Sequence, residues 1–283
     1  MDDVGESAVA KESGDSPPMA RPVAVVPHAM VVKAALFGAA NLTRSQAAVD
    51  LFLIFAALYA GQFALAGVGL WLAERFPSFG ILWANVLIGT VGLGSVAVVL
   101  YARGQSPGTI GLGRPTLRRT LLGTLAAVPA CYVGVVASVT LYLFAAGIDL
   151  AGVVQERGEF FEMVPDLSLG TLLIFTLFVG LHEEVLFRGF VLGRFCALFG
   201  HPAIAVLASG LIFGLVHVYQ GPIGVIQTTA VGLVLAGTVI ITRSLWPAIF
   251  AHFVFNTIGL LLIPLLRDQM PEMLKELDAA VVG

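Results

Sequence analysis

The sequence has few charged residues and few cysteines. Only 12% of its 283 residues are Asp, Glu, Lys or Arg, whereas 58% are hydrophobic, and soluble domains carry about twice that charged fraction. The small net charge of -3 provides no basic surface of the kind that nucleic acids require. The two cysteines, Cys131 and Cys196, have no paired spacing, so neither a disulfide framework nor a cysteine metal site is indicated. These features predict a protein of the lipid bilayer that does not bind nucleic acid.

Long apolar segments fill most of the chain and predict an all-α, multi-pass transmembrane helix bundle of about seven spans. A helix needs about 20 apolar residues to cross about 30 Å of hydrocarbon. The segments that meet this requirement are 49–72, 80–101, 120–146, 168–191, 202–219, 222–241 and 245–266. The last three follow one another so closely that their boundaries can shift by several residues, or two of them can form a re-entrant element.

The two ends of the chain differ from this apolar region. Residues 1–22 are polar, acidic and proline-containing, which predicts a disordered tail and not a secretory signal. Residues 23–48 are more apolar but short for a span, and they are expected to lie along the membrane surface as an interfacial amphipathic segment. The transmembrane domain is then 49–266, its candidate catalytic core is 168–266, and residues 267–283 form a polar C-terminal tail.

The distribution of Lys and Arg predicts the orientation of the chain. These residues collect on the cytoplasmic side of membrane proteins, and with seven spans most of them lie on the same side as the N-terminus. The loop at 147–166 falls on the other side and is acidic. We therefore expect a multi-pass protein of the cell membrane with a cytoplasmic N-terminus and an external C-terminus.

The fourth predicted span contains charged side chains that lipid does not solvate. Glu183, Glu184 and Arg188 lie there among Leu, Ile, Phe and Val. Each charged residue near a helix centre costs about 2.5 to 3.5 kcal/mol, and each large apolar residue gains only about 0.3 to 0.6 kcal/mol. The cost of the three charged residues is therefore about as large as the gain from all the large apolar residues of this span. For this reason the charged side chains are expected to face partners or a water-filled cavity.

Helical spacing gives the two glutamates different roles. Glu184 and Arg188 lie one turn apart on the same helical face and can form an ion pair. Glu183 points about 140° away from Arg188, which leaves its carboxylate available to a substrate or to water. The alternative is a purely structural role for both glutamates, but helix stability alone rarely retains two adjacent carboxylates in lipid.

Two later spans each place a histidine one turn from a second distinctive residue. Phe213 precedes His217 by four residues, and His252 precedes Asn256 by four, so each pair lies on one helical face. A single intramembrane histidine is often satisfied by a neighbouring carbonyl group. Together with the charged residues of the fourth span, however, the two imidazoles and the carboxamide form a set suited to acid–base catalysis and oxyanion stabilisation.

These three motifs resemble those of the CAAX prenyl protease 2 and bacteriocin-processing family of intramembrane proteases, also called the CPBP or Abi family. The strings HEEVLFRG, FGLVH and HFVFN contain them in the family's order. The string IGLGRPTLRR is also similar to a Gly-Leu-Gly segment often found ahead of the family's core helices. Each motif alone is nonspecific, but three in order on successive apolar segments form a specific pattern, which covers 181–256.

The resemblance implies an endopeptidase that hydrolyses a peptide bond in a membrane-associated peptide or protein substrate, which can be lipidated. Glu183, with His217, would activate the attacking water. His252 and Asn256 would stabilise the oxyanion. The remaining motif residues would hold these groups in place.

The family is commonly named as metalloproteases, although this sequence lacks the zinc-helix motif. That motif would require a second histidine where Leu186 stands. His217, His252 and a glutamate could still supply three ligands to a divalent metal such as Zn²⁺ and leave an open position. We expect direct activation of water by the carboxylate, with no cofactor required, and keep the metal as the alternative.

Two other functional classes would use the same residues differently. A non-proteolytic membrane scaffold, regulator or bacteriocin self-immunity protein would use the fold to hold a partner. A proton-coupled transporter would use the intramembrane Glu, His and Arg residues as a relay, although no inverted repeat with paired broken helices is evident. A cellular phenotype that survives loss of Glu183 would indicate a scaffold, and proton-linked uptake into vesicles would indicate a transporter.

Small-residue spacing also predicts close contacts between helices. Gly189 with Gly193, and Gly210 with Gly214, have the spacing that lets helix backbones approach each other. We expect these glycines to draw the fourth and fifth spans together and to bring Glu183 near to the histidine of the fifth span.

Overall fold

The computed structural model describes residues 42–76 and 80–282, and the regular structure within them is helical throughout. The α-helices are α1 (Arg44–Arg75), α2 (Gly80–Ala102), α3 (Leu117–Ala146), α4 (Leu150–Glu162), α5 (Leu169–Glu183), α6 (Leu192–Phe199), α7 (Pro202–Leu215), α8 (Gly221–Thr242) and α9 (Trp246–Val282). A π-helical segment, Glu184–Val191, joins α5 to α6, and 3₁₀ turns occupy Pro107–Ile110 and Val218–Gln220. The predicted all-α, multi-pass bundle is confirmed.

Six helical stretches of the described residues are long and apolar enough to cross a membrane. They are Arg44–Arg75, Leu82–Ala102, Leu117–Ala146, Leu169–Phe199, Val218–Thr242 and Trp246–Met273. The predicted span at 202–219 corresponds to α7, which has 14 residues. At about 1.5 Å per residue, α7 is about 21 Å long, which is shorter than the hydrocarbon core. The expected external C-terminus depends on an odd number of crossings, here seven, after a cytoplasmic N-terminus. The side of the membrane on which the C-terminus lies stays a prediction.

The first described helix begins earlier than the apolar pattern indicates. The side-chain hydroxyl of Thr43 accepts a hydrogen bond from the Gln46 backbone, and the Gln46 side chain accepts one from the Thr43 backbone. This reciprocal capping box fixes the helix start at Arg44, five residues before the predicted span. The predicted disordered tail at 1–22 lies outside the described residues, as does most of the predicted interfacial segment at 23–48.

The glycines of α7 face α8, not the fourth span. A Cβ atom built on Gly214 would lie 2.9 Å from the carbonyl oxygen of Val225 on α8, and one built on Gly210 would also meet α8. The prediction that this glycine pair draws the fourth and fifth spans together is therefore wrong. Gly189 instead faces the loop after α2, where its Cβ would lie 3.2 Å from the carbonyl oxygen of Ile110.

Replacing Gly214 with alanine is expected to lower the melting temperature of the purified protein, because the new methyl group forces the α7 and α8 backbones apart. Overpacking costs about 1–3 kcal/mol, which exceeds the gain of up to about 1 kcal/mol that alanine provides over glycine inside a helix. Gly237→Ala is the matched control, since a Cβ there meets no atom within 4 Å. Thermal unfolding in detergent measures both variants, and equal melting temperatures would contradict the tight contact.

The loop between α2 and α3 connects the N-terminal part of the chain to the start of α9. Gly111 ends the 3₁₀ turn at φ 87°, in the left-handed region that favours glycine. Its carbonyl oxygen accepts a hydrogen bond from the Leu245 N–H at 3.0 Å, and the Trp246 Nε1 donates to the Gly113 carbonyl at 2.9 Å. This Gly-Leu-Gly loop therefore fixes the start of one of the helices that carry the site.

A buried cluster of charged side chains joins α1, the end of α2 and α6. Asp50 is fully buried, and its two carboxylate oxygens accept hydrogen bonds from Arg103, at 2.6 and 2.9 Å, and from Arg194, at 3.4 Å. Arg194 also donates to the Gln105 side chain at 2.7 Å. The cluster holds the C-terminal end of the long fourth span, and no sequence spacing indicated it.

Candidate active site

The helix that carries the two glutamates widens directly after Glu183. The Leu192 N–H bonds to the carbonyl of Phe187, five residues earlier, as in a π-helix, and all residues of the Glu184–Val191 segment are buried. π-Helical turns are rare and occur frequently at functional sites. The spacing of apolar residues gives no indication of this widening, because the pattern of apolar residues assumes the regular turn of an α-helix throughout.

Glu184 and Arg188 form the ion pair that their spacing predicts. Arg188 Nη1 lies 2.7 Å from Glu184 Oε1, and both side chains are completely buried. The Arg188 guanidinium also lies over the Phe213 ring, 4.0 Å from its centroid, at a distance suited to a cation–π contact. The phenylalanine of the second motif thus contacts the arginine of the first.

His252 lies between the two glutamates. Its Nδ1 is 2.9 Å from Glu184 Oε1, and its Nε2 is 3.7 Å from Glu183 Oε2. Because an ionised carboxylate only accepts hydrogen bonds, Nδ1 is the donor to Glu184, and Nε2 faces Glu183. The helical spacing in the sequence associated His252 with Asn256 alone and gave no sign of its contact with Glu184.

His217, just after α7, faces Glu183 with its Nε2 atom. Its Nδ1 is 2.7 Å from the carbonyl oxygen of Phe213, so Nδ1 donates and Nε2 accepts in the neutral ring. The Nε2 atom lies 3.9 Å from Glu183 Oε1. The Phe213 ring also contacts the imidazole, with 4.8 Å between centroids, so this phenylalanine orients His217 with both its backbone and its side chain.

Neither imidazole is close enough to Glu183 for a direct hydrogen bond. The separations of 3.9 and 3.7 Å exceed the usual limit of about 3.2 Å for an N–H···O bond. The Glu183 side chain is 10% exposed, whereas that of Glu184 is fully buried. The two adjacent carboxylates therefore have different surroundings: Glu184 is engaged by an arginine and a histidine, and Glu183 opens onto a cavity.

A cavity of about 340 Å³ lies beside Glu183. Glu183, His217, His252 and Asn256 all line it, so side chains from α5, the turn after α7 and α9 converge on one space. Its volume is near the lower end of the range of about 300–1,000 Å³ for small-ligand sites. It therefore suits a short stretch of peptide and not a folded domain.

The other histidines lie apart from this cavity or outside the described residues. His182 Nδ1 is 3.0 Å from the Phe178 carbonyl oxygen, and its ring packs against Gly89 of α2, where an added Cβ would lie 2.8 Å away. His182 therefore fills the contact between α5 and α2. His201 is exposed in a loop, and His28 is not among the described residues.

Several polar residues that the sequence motifs did not indicate also line the cavity. They are Asn85, Arg157, Thr176, Tyr219, Gln220, Gln227 and Thr228. Arg157 comes from α4 and is the one basic residue in the acidic loop at 147–166. Its position as a single basic residue among acidic ones is the only feature of the sequence that distinguishes Arg157. This feature does not indicate a contact with the catalytic core.

The residues considered as zinc ligands do not fit a zinc site. Across 42–76 and 80–282, no group of three His, Cys, Asp or Glu side chains is arranged to hold a metal ion. The carboxylate–imidazole separations of 3.7 and 3.9 Å exceed the spacing of about 3.3 Å between ligands of a tetrahedral site with bonds of about 2.0–2.1 Å. No chemical step is therefore assigned to a metal.

Comparison with known proteins supports the motif pattern. Residues 165–258 match the family model described as type II CAAX prenyl endopeptidase Rce1-like. No curated protein and no solved structure matches the chain. The matched segment extends from just before α5 into α9 and contains all six candidate site residues. The resemblance to the CAAX prenyl protease family is thereby confirmed, and this multi-pass membrane protein carries an Rce1-like domain at 165–258.

Proposed function

We propose that the protein is an intramembrane endopeptidase that hydrolyses a peptide bond in a membrane-associated peptide or protein. The observation that carries this proposal is the position of Glu183, whose carboxylate faces two imidazole Nε2 atoms at 3.9 and 3.7 Å on the wall of one cavity. Carboxylates and imidazoles are the groups that most often act as acid and base in hydrolysis. The Rce1-like match supports the same reaction class.

Glu183 and His217 activate the attacking water. A water molecule between Glu183 Oε1 and His217 Nε2 meets two acceptors, because the Nδ1 of His217 already donates to the Phe213 carbonyl. Both O–H bonds are then held, and an oxygen lone pair is directed at the substrate carbonyl carbon. As the new C–O bond forms, Glu183 accepts one proton of the water, and it transfers this proton to the amine nitrogen as the C–N bond breaks.

His252 and Asn256 stabilise the oxyanion that forms on the substrate carbonyl. The Glu184 carboxylate accepts the hydrogen bond from His252 Nδ1 and holds the ring with Nε2 toward the cavity, where the imidazolium form donates its Nε2–H to the oxyanion. Asn256 lies one turn further along α9 and lines the same cavity, where its amide N–H is a second donor. Arg188 acts indirectly, because it holds the Glu184 carboxylate that positions His252.

A comparison of membrane peptides in cells tests the function and identifies the substrate in the same experiment. Cells that produce either the wild-type protein or Glu183→Gln are analysed by mass spectrometry. A membrane-associated protein that is shortened only with the wild-type protein is the substrate, and purified protein in liposomes should cleave it. Identical peptide sets, together with a phenotype that Glu183→Gln restores fully, would instead favour a scaffold.

Removal of divalent metal is expected to leave proteolysis unchanged, because water activation is assigned to a carboxylate and the donors do not fit zinc. The measurement is the initial rate of substrate cleavage in liposomes before and after treatment with EDTA and 1,10-phenanthroline. A loss of activity that added Zn²⁺ restores would contradict this mechanism and assign a metal to the site.

A further inference from the structure

Arg157 brings a positive charge to the cavity that contains Glu183. It lies on α4, outside the membrane-spanning helices, and its side chain lines the cavity. Among the described residues of the cavity wall, Glu183 is the one Asp or Glu and Arg157 is the one Lys or Arg. The guanidinium carbon lies 4.8 Å from the ring centroid of Phe160 and 5.8 Å from that of Phe161. Since both rings also line the cavity, cation–π contacts hold the guanidinium at its wall.

Part of this guanidinium is buried without a partner. Arg157 Nη1 has no hydrogen-bond partner, and the neighbouring Glu156 carboxylate accepts a hydrogen bond from the Ile223 N–H at 2.8 Å. Burial lowers the pKa of Arg157, and attraction to Glu156 opposes this effect, but an arginine stays protonated in a protein. Because Nη1 is enclosed by protein, a ligand in the cavity would meet the remaining edge of the guanidinium, which lines the wall.

We propose that Arg157 binds a carboxylate of the peptide substrate and thereby positions the peptide relative to Glu183. A carboxylate accepts two parallel N–H bonds from a guanidinium, and the Nε and Nη2 atoms of Arg157 can donate them. This inference rests on the proposed endopeptidase function.

Three randomised peptide libraries test the inference and distinguish the two sources of a carboxylate. The first contains free C-terminal acids without Asp or Glu, the second contains C-terminal amides without Asp or Glu, and the third contains amides with Asp and Glu. The wild-type protein in liposomes is expected to cleave the first or the third library about 10- to 100-fold faster than the second, as one charge-assisted hydrogen bond predicts. Arg157→Met should lose this preference.

Arg119→Met is the matched control, because it removes an exposed arginine near the start of α3 that does not line the cavity; it should keep the preference. Cleavage without any preference for carboxylates, or with the same preference in Arg157→Met, would overturn the inference and leave the endopeptidase function supported.

Retention of peptides on immobilised Glu183→Gln gives a second readout that needs no catalysis. Carboxylate-dependent retention that Arg157→Met abolishes supports the inference even if no cleavage occurs, in which case the proposed function fails. Neither cleavage nor retention of any library would overturn both.

Discussion

Replacing Glu183 with glutamine is expected to abolish peptide hydrolysis and to leave the protein folded. Glutamine has nearly the same shape, so the α5 backbone and the cavity wall are retained, but its amide cannot accept the proton of the attacking water. Loss of a general base lowers the rate by about 10²- to 10⁴-fold. The measurement is the initial rate of cleavage, in liposomes, of the substrate identified from membrane peptides.

Glu159→Gln is the matched control for this substitution. Glu159 lies on α4, is exposed and does not line the cavity, so the same chemical change there should leave both the rate and the melting temperature unaltered. Thermal unfolding of the Glu183→Gln protein in detergent separates loss of catalysis from loss of the fold. If the Glu183→Gln protein cleaved the substrate at the wild-type rate, the Glu183 carboxylate would not be the general base.

Contacts within one helical turn were predictable from the sequence, because an α-helix fixes the direction of neighbouring side chains. The Glu184–Arg188 ion pair follows from the spacing of four residues. The same spacing placed Phe213 beside His217, and these rings are in contact. The sequence also indicated that Glu183 points elsewhere, and it is the glutamate that opens onto the cavity.

Contacts between distant segments could not be read from spacing. The hydrogen bond from His252 to Glu184 joins residues 68 positions apart, and it depends on how α9 is rotated against α5. The approach of Arg157 to the cavity depends in the same way on how α4 packs against the bundle. Hydropathy reports that a segment is buried but not which neighbour covers each face, which is also why the glycine pair of α7 was assigned to the wrong helix.

Irregular backbone, like contacts between distant segments, could not be predicted from the hydropathy of the sequence. The hydropathy of Leu169–Phe199 is that of one continuous span, and the π-helical turn inside it leaves the composition unchanged. The length of α7 was overestimated for a related reason: the apolar run continues beyond Leu215 through a 3₁₀ turn into α8. Hydropathy alone does not distinguish an apolar turn from a helix that continues.

Breaking the buried Glu184–Arg188 pair by removing one partner is expected to destabilise the protein far more than removing both charges. Arg188→Met leaves a fully buried carboxylate without its arginine, and loss of one partner of a buried ion pair costs about 3–5 kcal/mol. Glu184→Leu combined with Arg188→Met removes both charges. Because Glu184 Oε2, Arg188 Nε and Arg188 Nη2 already lack partners, an apolar pair of similar volume should cost much less.

Melting temperatures of the single and double variants in detergent measure this difference. Asp166→Asn is the control, because Asp166 pairs with Arg267 but is 75% exposed, and loss of such a surface ion pair should not change the melting temperature measurably. The double variant should nevertheless be inactive, since His252 loses the carboxylate that accepts its Nδ1–H. A folded, inactive double variant would show that the pair is present to position His252. A double variant as unstable as Arg188→Met would instead show that the fold itself requires the two charges.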